Sequence, residues 1–296
     1  AAAAPVAAAE PAHPTIRHMA GAPSVTALDA AKTAVLVIDF QNEYFDASAA
    51  PGFAGGRMVI PDGLAALRQA QRVVQFADAH GIRVIHVQHV LPAGAPLFAQ
   101  GSANAAFHRD LQPRQGETVV QKDNVSVFAG ASAAVLDKVL KDACIDTLLV
   151  TGLQTHACVV GAARDAAAAP RGYRVIVAGD ATASRDLDLA GGQRIGHRAL
   201  HEASLAQVED AFGEVISTEA MLALPVRSCR LARALLAPPP PSAAISAISV
   251  AVSGMPWLIR AASTSPPRAR KSASTSRGAC GQLASLRAGV VAGASS

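Results

Sequence analysis

Aromatic residues are scarce in this 296-residue chain: eight Phe, two Tyr and one Trp make up 4% of it. With so few stacking side chains on a slightly acidic body, the chain lacks the footprint of a nucleic-acid binder. The total charge of +4 hides that acidity. From Val226 onward there are nine Lys or Arg and no Asp or Glu, so about −5 of the charge lies before that point and +9 after it. Cysteine is sparse too. Positions 144, 158, 229 and 280 show no CxxC spacing and are too few for a stapled scaffold, which excludes a zinc ribbon and a disulfide framework. Long apolar runs are also wanting. Ala243–Ile259 carries no charge, but Ser246, Ser249, Ser253, Gly254 and Pro256 make it a poor membrane span. Gly191 and Gly192 do not follow a first strand, so no dinucleotide fingerprint is present, and no repeat of 20 to 50 residues is seen. The expected partner is a small molecule, with no nucleic acid, membrane or cofactor.

What is present is an alternation of short apolar runs and helical periods. Strands are expected at Ala34–Phe40, Arg83–Val90, Thr118–Gln121, around Leu148–Val150, at Arg174–Ala178 and at Glu214–Ile216. Helices are expected over Pro61–His80, Ala131–Asp142, from His156 onward, and over Asp188–Ala206, with Val208–Phe212 irregular. Such alternation implies right-handed crossovers and a mostly parallel sheet covered on both faces, a three-layer α/β/α doubly wound fold. Residues 1–30, rich in Ala and Pro, read as a disordered lead-in. Residues 31–225 form the domain, and the basic Pro/Ser/Ala-rich 226–296 reads as a largely unstructured tail. Leu91–Gly116, with Pro92, Gly94, Pro96, Gly101 and Pro113, is too long for an ordinary connection and is expected to wall a pocket.

The chemistry centres on Leu148–Gly161, LLVTGLQTHACVVG. A buried strand runs into Thr151 and Gly152, and a helix is expected to start beside Cys158. Unpaired N–H groups and the helix dipole there favour a thiolate, and the same amides can hold an oxyanion. Cys158 is therefore expected to ionise below the usual thiol value, although a buried cysteine among apolar neighbours can also be plain core. Two further reactive side chains fall at strand ends, where ligands of parallel sheets bind. Asp39 closes the first strand and Lys122 the third. A carboxylate can take the thiol proton and return it to a leaving group, while an ammonium favours thiolate. Each alone is as readily a loop residue; together they supply nucleophile, base and cation.

The stretches AVLVIDFQNEYF, VVQKDNVSVF and TGLQTHACVVGAARDA, in this order, resemble the isochorismatase-like cysteine hydrolases, which include nicotinamidases and N-carbamoylsarcosine amidase. The resemblance covers about Thr33 to Pro225. It implies catalytic Asp39, Lys122 and Cys158, a cysteine-bound acyl intermediate, a six-stranded sheet and a homo-oligomer, dimer or tetramer. It also implies a non-proline cis peptide at Leu153–Gln154, turning the N–H groups of Gln154 and Cys158 toward one oxyanion. The chain departs from the nicotinamidase branch in lacking its D-x-H metal motif, having HVQHVLPAGAP instead, and from isochorismatases proper in having the cysteine. A metal-independent, amidase-like hydrolase is therefore expected. The alternatives are a relative acting on a vinyl ether or ring without acylating Cys158, and a binding protein on the same fold.

Weaker candidates remain. His86 and His89 alternate along their strand and face opposite sides, and with no third ligand in view no metal is assigned to them. His197 and His201 share a helix face at i, i+4 but lack the HExxH glutamate. Gln41 and Tyr44, just after Asp39, are expected to contact substrate, as is Phe128. The Ala-rich helix Ala162–Ala169 fits close packing or a subunit contact. A cytoplasmic location is expected, with export after loss of a signal peptide as the alternative.

Overall fold

The computed structural model describes residues 11–49 and 51–227. Its centre is a six-stranded sheet of β1 (Thr33–Ile38), β2 (Arg83–His89), β3 (Thr118–Lys122), β4 (Thr147–Leu153), β5 (Arg174–Ala183) and β6 (Glu214–Ile216). Their order across the sheet is β3-β2-β1-β4-β5-β6, and every neighbouring pair is parallel. The chain winds outward from β1 in one direction and returns beside it through β4 in the other. The switch point between β1 and β4 is where the carboxyl ends diverge and a crevice opens.

The two-residue period of β1 explains the layers. Val35 and Val37 face one side, packed with Leu67, Ala70, Val73, Val74 and Ala77 of α1 (Gly63–His80). Ala34, Leu36 and Ile38 face the other, against Leu136 and Leu140 of α2 (Gly130–Asp142), Ala162, Ala163 and Ala166 of α3 (Val160–Ala167), and Val208 of α4 (His197–Ala211). All six β1 residues are buried, as befits a strand covered on both faces. Helix α1 ends at Gly81, whose φ of +69° closes the left-handed cap that a side chain disfavours.

Four expectations are corrected. Residues 11–30 are not an irregular lead-in: Ile16–Met19 forms a helical turn capped by Thr15, and the Val25 N–H donates to both carboxylate oxygens of Glu214 at 2.7 and 2.9 Å. Leu28–Asp29 pairs in parallel with Val226–Arg227, which carries the ordered chain past Pro225. The helix expected from Asp188 is broken by Gly191 and Gly192: Leu187–Asp188 and Arg194–Ile195 form an antiparallel hairpin, and α4 begins only at His197 but runs on through Val208 to Ala211. Strand β5 runs past Ala178 to Ala183, and the Asp180 carboxylate within it accepts from the N–H and hydroxyl of Thr218, both at 2.7 Å. The expectations for residues 1–10 and 228–296 lie outside the described residues. Among those described, no helix is long and apolar enough to cross a membrane.

Candidate active site

Asp39 leaves β1 with φ +54°, a left-handed conformation that Asp tolerates better than most residues. Its N–H donates to the Val87 carbonyl at 3.0 Å, so the strand is still held to β2 as the chain turns. Lys122 is the last residue of β3, and its Nζ lies 2.8 Å from Asp39 Oδ2 with both side chains fully buried. The same ammonium donates to the carbonyls of Asn124 and Val125 at 3.1 and 3.0 Å and to Cys158 Sγ at 3.2 Å. Neither Asp39 oxygen has a hydrogen-bond donor in good geometry among the described residues. The lysine thus holds the carboxylate by charge and proximity.

Cys158 arrives from β4. Gly152 stands opposite Ile38 in register, and a Cβ there would lie 2.6 Å from Ile38 Cβ and 2.8 Å from its carbonyl oxygen. Only glycine lets the two strand ends close to this distance. The Leu153–Gln154 peptide is cis. Thr155–Val159 then forms a π-helical turn rather than the start of an α-helix, with the N–H of Ala157 and of Val159 both donating to the Gln154 carbonyl at 3.2 Å, and α3 follows from Val160. Cys158 is 4% exposed.

The expected low thiol pKa is overturned. Burial, and then the charge of Asp39, push the Cys158 thiol up to about 12, against the downward pull of Lys122. Burial also draws the Lys122 ammonium down, but Asp39 and Cys158 outweigh it and hold it above the ordinary lysine value. The resting arrangement is a thiol beside a lysine-held carboxylate, not a preformed thiolate.

The other candidates divide. Tyr44 is 1% exposed, and its hydroxyl is kept well above the usual phenol value by burial first, and by its place beside Cys158 and Asp39. Gln41 is not turned to a ligand: its amide donates to the carbonyls of His89 and Ala105 at 2.8 and 2.6 Å and accepts from the His89 N–H at 2.7 Å. It ties β2 and the 103–108 segment to the Asp39 turn. Phe128 lies in the core, with the Arg171 guanidinium 4.9 Å from its ring centroid and Tyr173 packed nearby. The Leu91–Gly116 segment runs along the same turn, where Asn42 and Glu43 donate to Ala106 and Asn104, and the Glu43 carboxylate accepts from Arg57, Phe98 and Asn104.

His89 is the residue that the pattern of the chain concealed. His86 pairs with Glu117 at 3.0 Å, but His89 Nδ1 is 3.3 Å from Lys122 Nζ, and its ring stacks on Phe98 at 4.7 Å and 3°. His86 and His89 thus share no site, but donor atoms of Asp39, His89 and Cys158 all lie within 4.8 Å of one another. Around the cysteine turn, His201 Nδ1 and Thr155 Oγ1 are 2.8 Å apart and His156 Nδ1 and Ser184 Oγ 3.0 Å. Burial, then the nearby Arg185, lower His156 to about 4. His197 bridges Asp186 at 2.8 Å and Asp62 at 3.4 Å and shares no ligand set with His201.

This geometry sits within a chain of recognisable kin. Residues 33–220 match the isochorismatase domain family. The secreted isochorismatase effector Isc1 of Verticillium dahliae is 31% identical over 205 residues, 69% of this chain and 97% of that protein. The ureidoacrylate amidohydrolase RutB of Methylobacterium radiotolerans is 31% identical over 240 residues, 70% of this chain and 85% of that one. The crystal structure of an isochorismatase from Pseudomonas putida KT2440 superposes with a TM-score of 0.61 at 25% identity, covering 70% of this chain and 98% of its own.

Proposed function

The chain belongs to the isochorismatase family, and from that footing we propose that it is a cysteine-dependent hydrolase cleaving a C–N bond in a small amide or related carbonyl compound. The observation that carries this reading is the Asp39 carboxylate: fully buried, 2.8 Å from the Lys122 ammonium, and within 4.8 Å of the Cys158 sulfur. Burial and the charge of Asp39 hold the thiol above its ordinary value, which favours a base that takes its proton as it attacks. The amidohydrolase named for the Methylobacterium relative supports a C–N bond as the target.

In the proposed reaction Asp39 accepts the thiol proton while Cys158 Sγ bonds to the substrate carbonyl carbon. The carbonyl oxygen becomes an oxyanion, which the N–H groups of Gln154 and Cys158 are assigned to hold. Asp39 returns the proton to the departing nitrogen, the C–N bond breaks, and an acyl thioester remains. Water then attacks that thioester with Asp39 again as base, releasing the acid and restoring the thiol. Lys122 stays protonated throughout, which keeps Asp39 anionic between steps and offsets charge that builds on sulfur.

The test is to screen small amides and ureido compounds for released ammonia or amine, then to mix the best of them with the enzyme and quench rapidly for intact-mass analysis. A mass increase equal to the acyl group, mapped to Cys158 and absent in Cys158→Ala, is expected. Turnover that persists in Cys158→Ala with no adduct would replace this reading with chemistry that bypasses the sulfur.

A further inference from the structure

The Asp39, His89 and Cys158 side chains converge in a way that the proposed hydrolysis does not need, since His89 has no step in it. A carboxylate oxygen, an imidazole nitrogen and a sulfur form a donor set that suits Zn2+ and similar ions. All three atoms lie within 4.8 Å of one another. Tetrahedral bonds of about 2.0–2.3 Å bring donors to roughly 3.5 Å apart, so modest side-chain shifts would complete three corners of a site. The middle of this triangle is taken. Lys122 Nζ stands 2.8 Å from Asp39 Oδ2, 3.2 Å from Cys158 Sγ and 3.3 Å from His89 Nδ1, with the carbonyls of Asn124 and Val125 behind it.

We propose that Asp39, His89 and Cys158 constitute a latent site for a thiophilic divalent ion, and that the Lys122 ammonium, tethered at its centre, keeps such ions off the nucleophile. An incoming dication would meet a like charge at contact distance in a buried setting, where that repulsion is screened little. It would also have to displace a group that cannot diffuse away. Without the ammonium, the carboxylate faces an imidazole and a thiol across a gap with no cation in it. A metal entering there bonds to the carboxylate oxygen, to His89 Nδ1 and to sulfur, with the thiol proton released to solvent and no change of oxidation state. Lys122 thus gains a second role beside its support of Asp39, which is to hold a soft-donor cluster open for acyl chemistry.

Co2+ is the probe, because a sulfur-to-cobalt charge-transfer band reports thiolate ligation directly and needs no substrate. Full-length wild type, Lys122→Ala, Lys122→Ala/His89→Ala and Lys122→Ala/Cys158→Ser are titrated under anaerobic conditions. Lys122→Ala is expected to take up one Co2+ per chain with the band and at least tenfold more tightly than wild type. The band is expected to vanish with Cys158→Ser, and affinity to fall at least tenfold with His89→Ala. Lys122→Gln, neutral and nearly as long, carries the same comparison if Lys122→Ala does not fold, and a Co2+-dependent rise in melting temperature is its second readout. No band in a folded Lys122 variant, a gain over wild type of less than tenfold, or a band indifferent to His89 would overturn the proposal.

Discussion

Lys122 Nζ and Asp39 Oδ2 stand 2.8 Å apart with no solvent exposure on either side chain. Taking one partner away strands the other as a bare charge in the interior, which typically costs about 3–5 kcal/mol. Lys122→Met is therefore expected to lower unfolding stability by that order. The double variant Lys122→Met/Asp39→Asn should recover part of the loss, because no isolated charge remains. Urea unfolding of the four proteins of the cycle measures this, and strictly additive losses would contradict the pairing.

Asp39 has opposite effects on the amount of thiolate and on turnover. Its charge helps raise Cys158 to about 12, so Asp39→Asn should put more of the sulfur in the thiolate form at pH 8 and speed its alkylation by iodoacetamide, about tenfold per unit of pKa recovered. Turnover should nonetheless fall by about 10²–10⁴, the usual worth of a general base. Lys122→Met should slow alkylation further. Peptide mapping of alkylation against pH, beside steady-state rates, separates these effects; Cys158 in the wild type is expected to react more slowly than surface Cys144.

Gly152→Ala tests the closeness of β1 and β4. A methyl 2.6 Å from Ile38 Cβ and 2.8 Å from its carbonyl oxygen has no room, and overpacking of this kind costs about 1–3 kcal/mol. Because the cysteine turn starts three residues later, activity should drop by more than the change in melting temperature implies. Ile38→Gly in the same background, which removes the clashing Cβ, should relieve part of the clash, as read by thermal melts and rates.

His156 gives the protein an acid-sensitive element whose sign is set. Its folded pKa, about 4, lies below the ordinary 6.5. The unfolded chain therefore takes up the proton first as pH falls, and the contribution to stability is whole above about 6.5 and lost progressively toward 4. His201 and His86 are lowered by burial in the same sense. His156→Asn should flatten the fall in melting temperature between pH 6.5 and 4. An unchanged profile would show that His156 is not held neutral by the fold.

The sheet and the convergence of Asp39, Lys122 and Cys158 are legible in the sequence because each rests on local signals: continuous apolar runs for strands buried on both faces, and charged or sulfur residues at their ends. Less legible was anything decided by what comes from elsewhere. Gln41 follows Asp39 as a substrate residue would, yet its amide is taken up by main chain of His89 and Ala105, 48 and 64 positions away. His89 was seen to alternate with His86, but its neighbours Asp39 and Cys158 are brought to it by β1 and by the turn after β4. The upward shift of the Cys158 thiol is not legible in the sequence, because a helix start and a lysine can be read along the chain, whereas near-complete burial beside a carboxylate emerges only on folding. The hairpin at Leu187–Ile195 is hidden in the sequence because the helical spacing of His197–Ala211 continues back across Gly191 and Gly192.

The contacts of residues 16–29 set an order of events during synthesis. Ile16 donates to Asp210, Val25 to Glu214, and Leu28–Asp29 pairs with Val226–Arg227. The 189 positions that separate Val25 from Glu214 take roughly 10 to 40 seconds to translate at about 5–20 residues per second. Through that interval the segment waits on the ribosome without its partners, while β1 to β5 have time to assemble. Emerging early, it docks only when α4, β6 and Arg227 have been made.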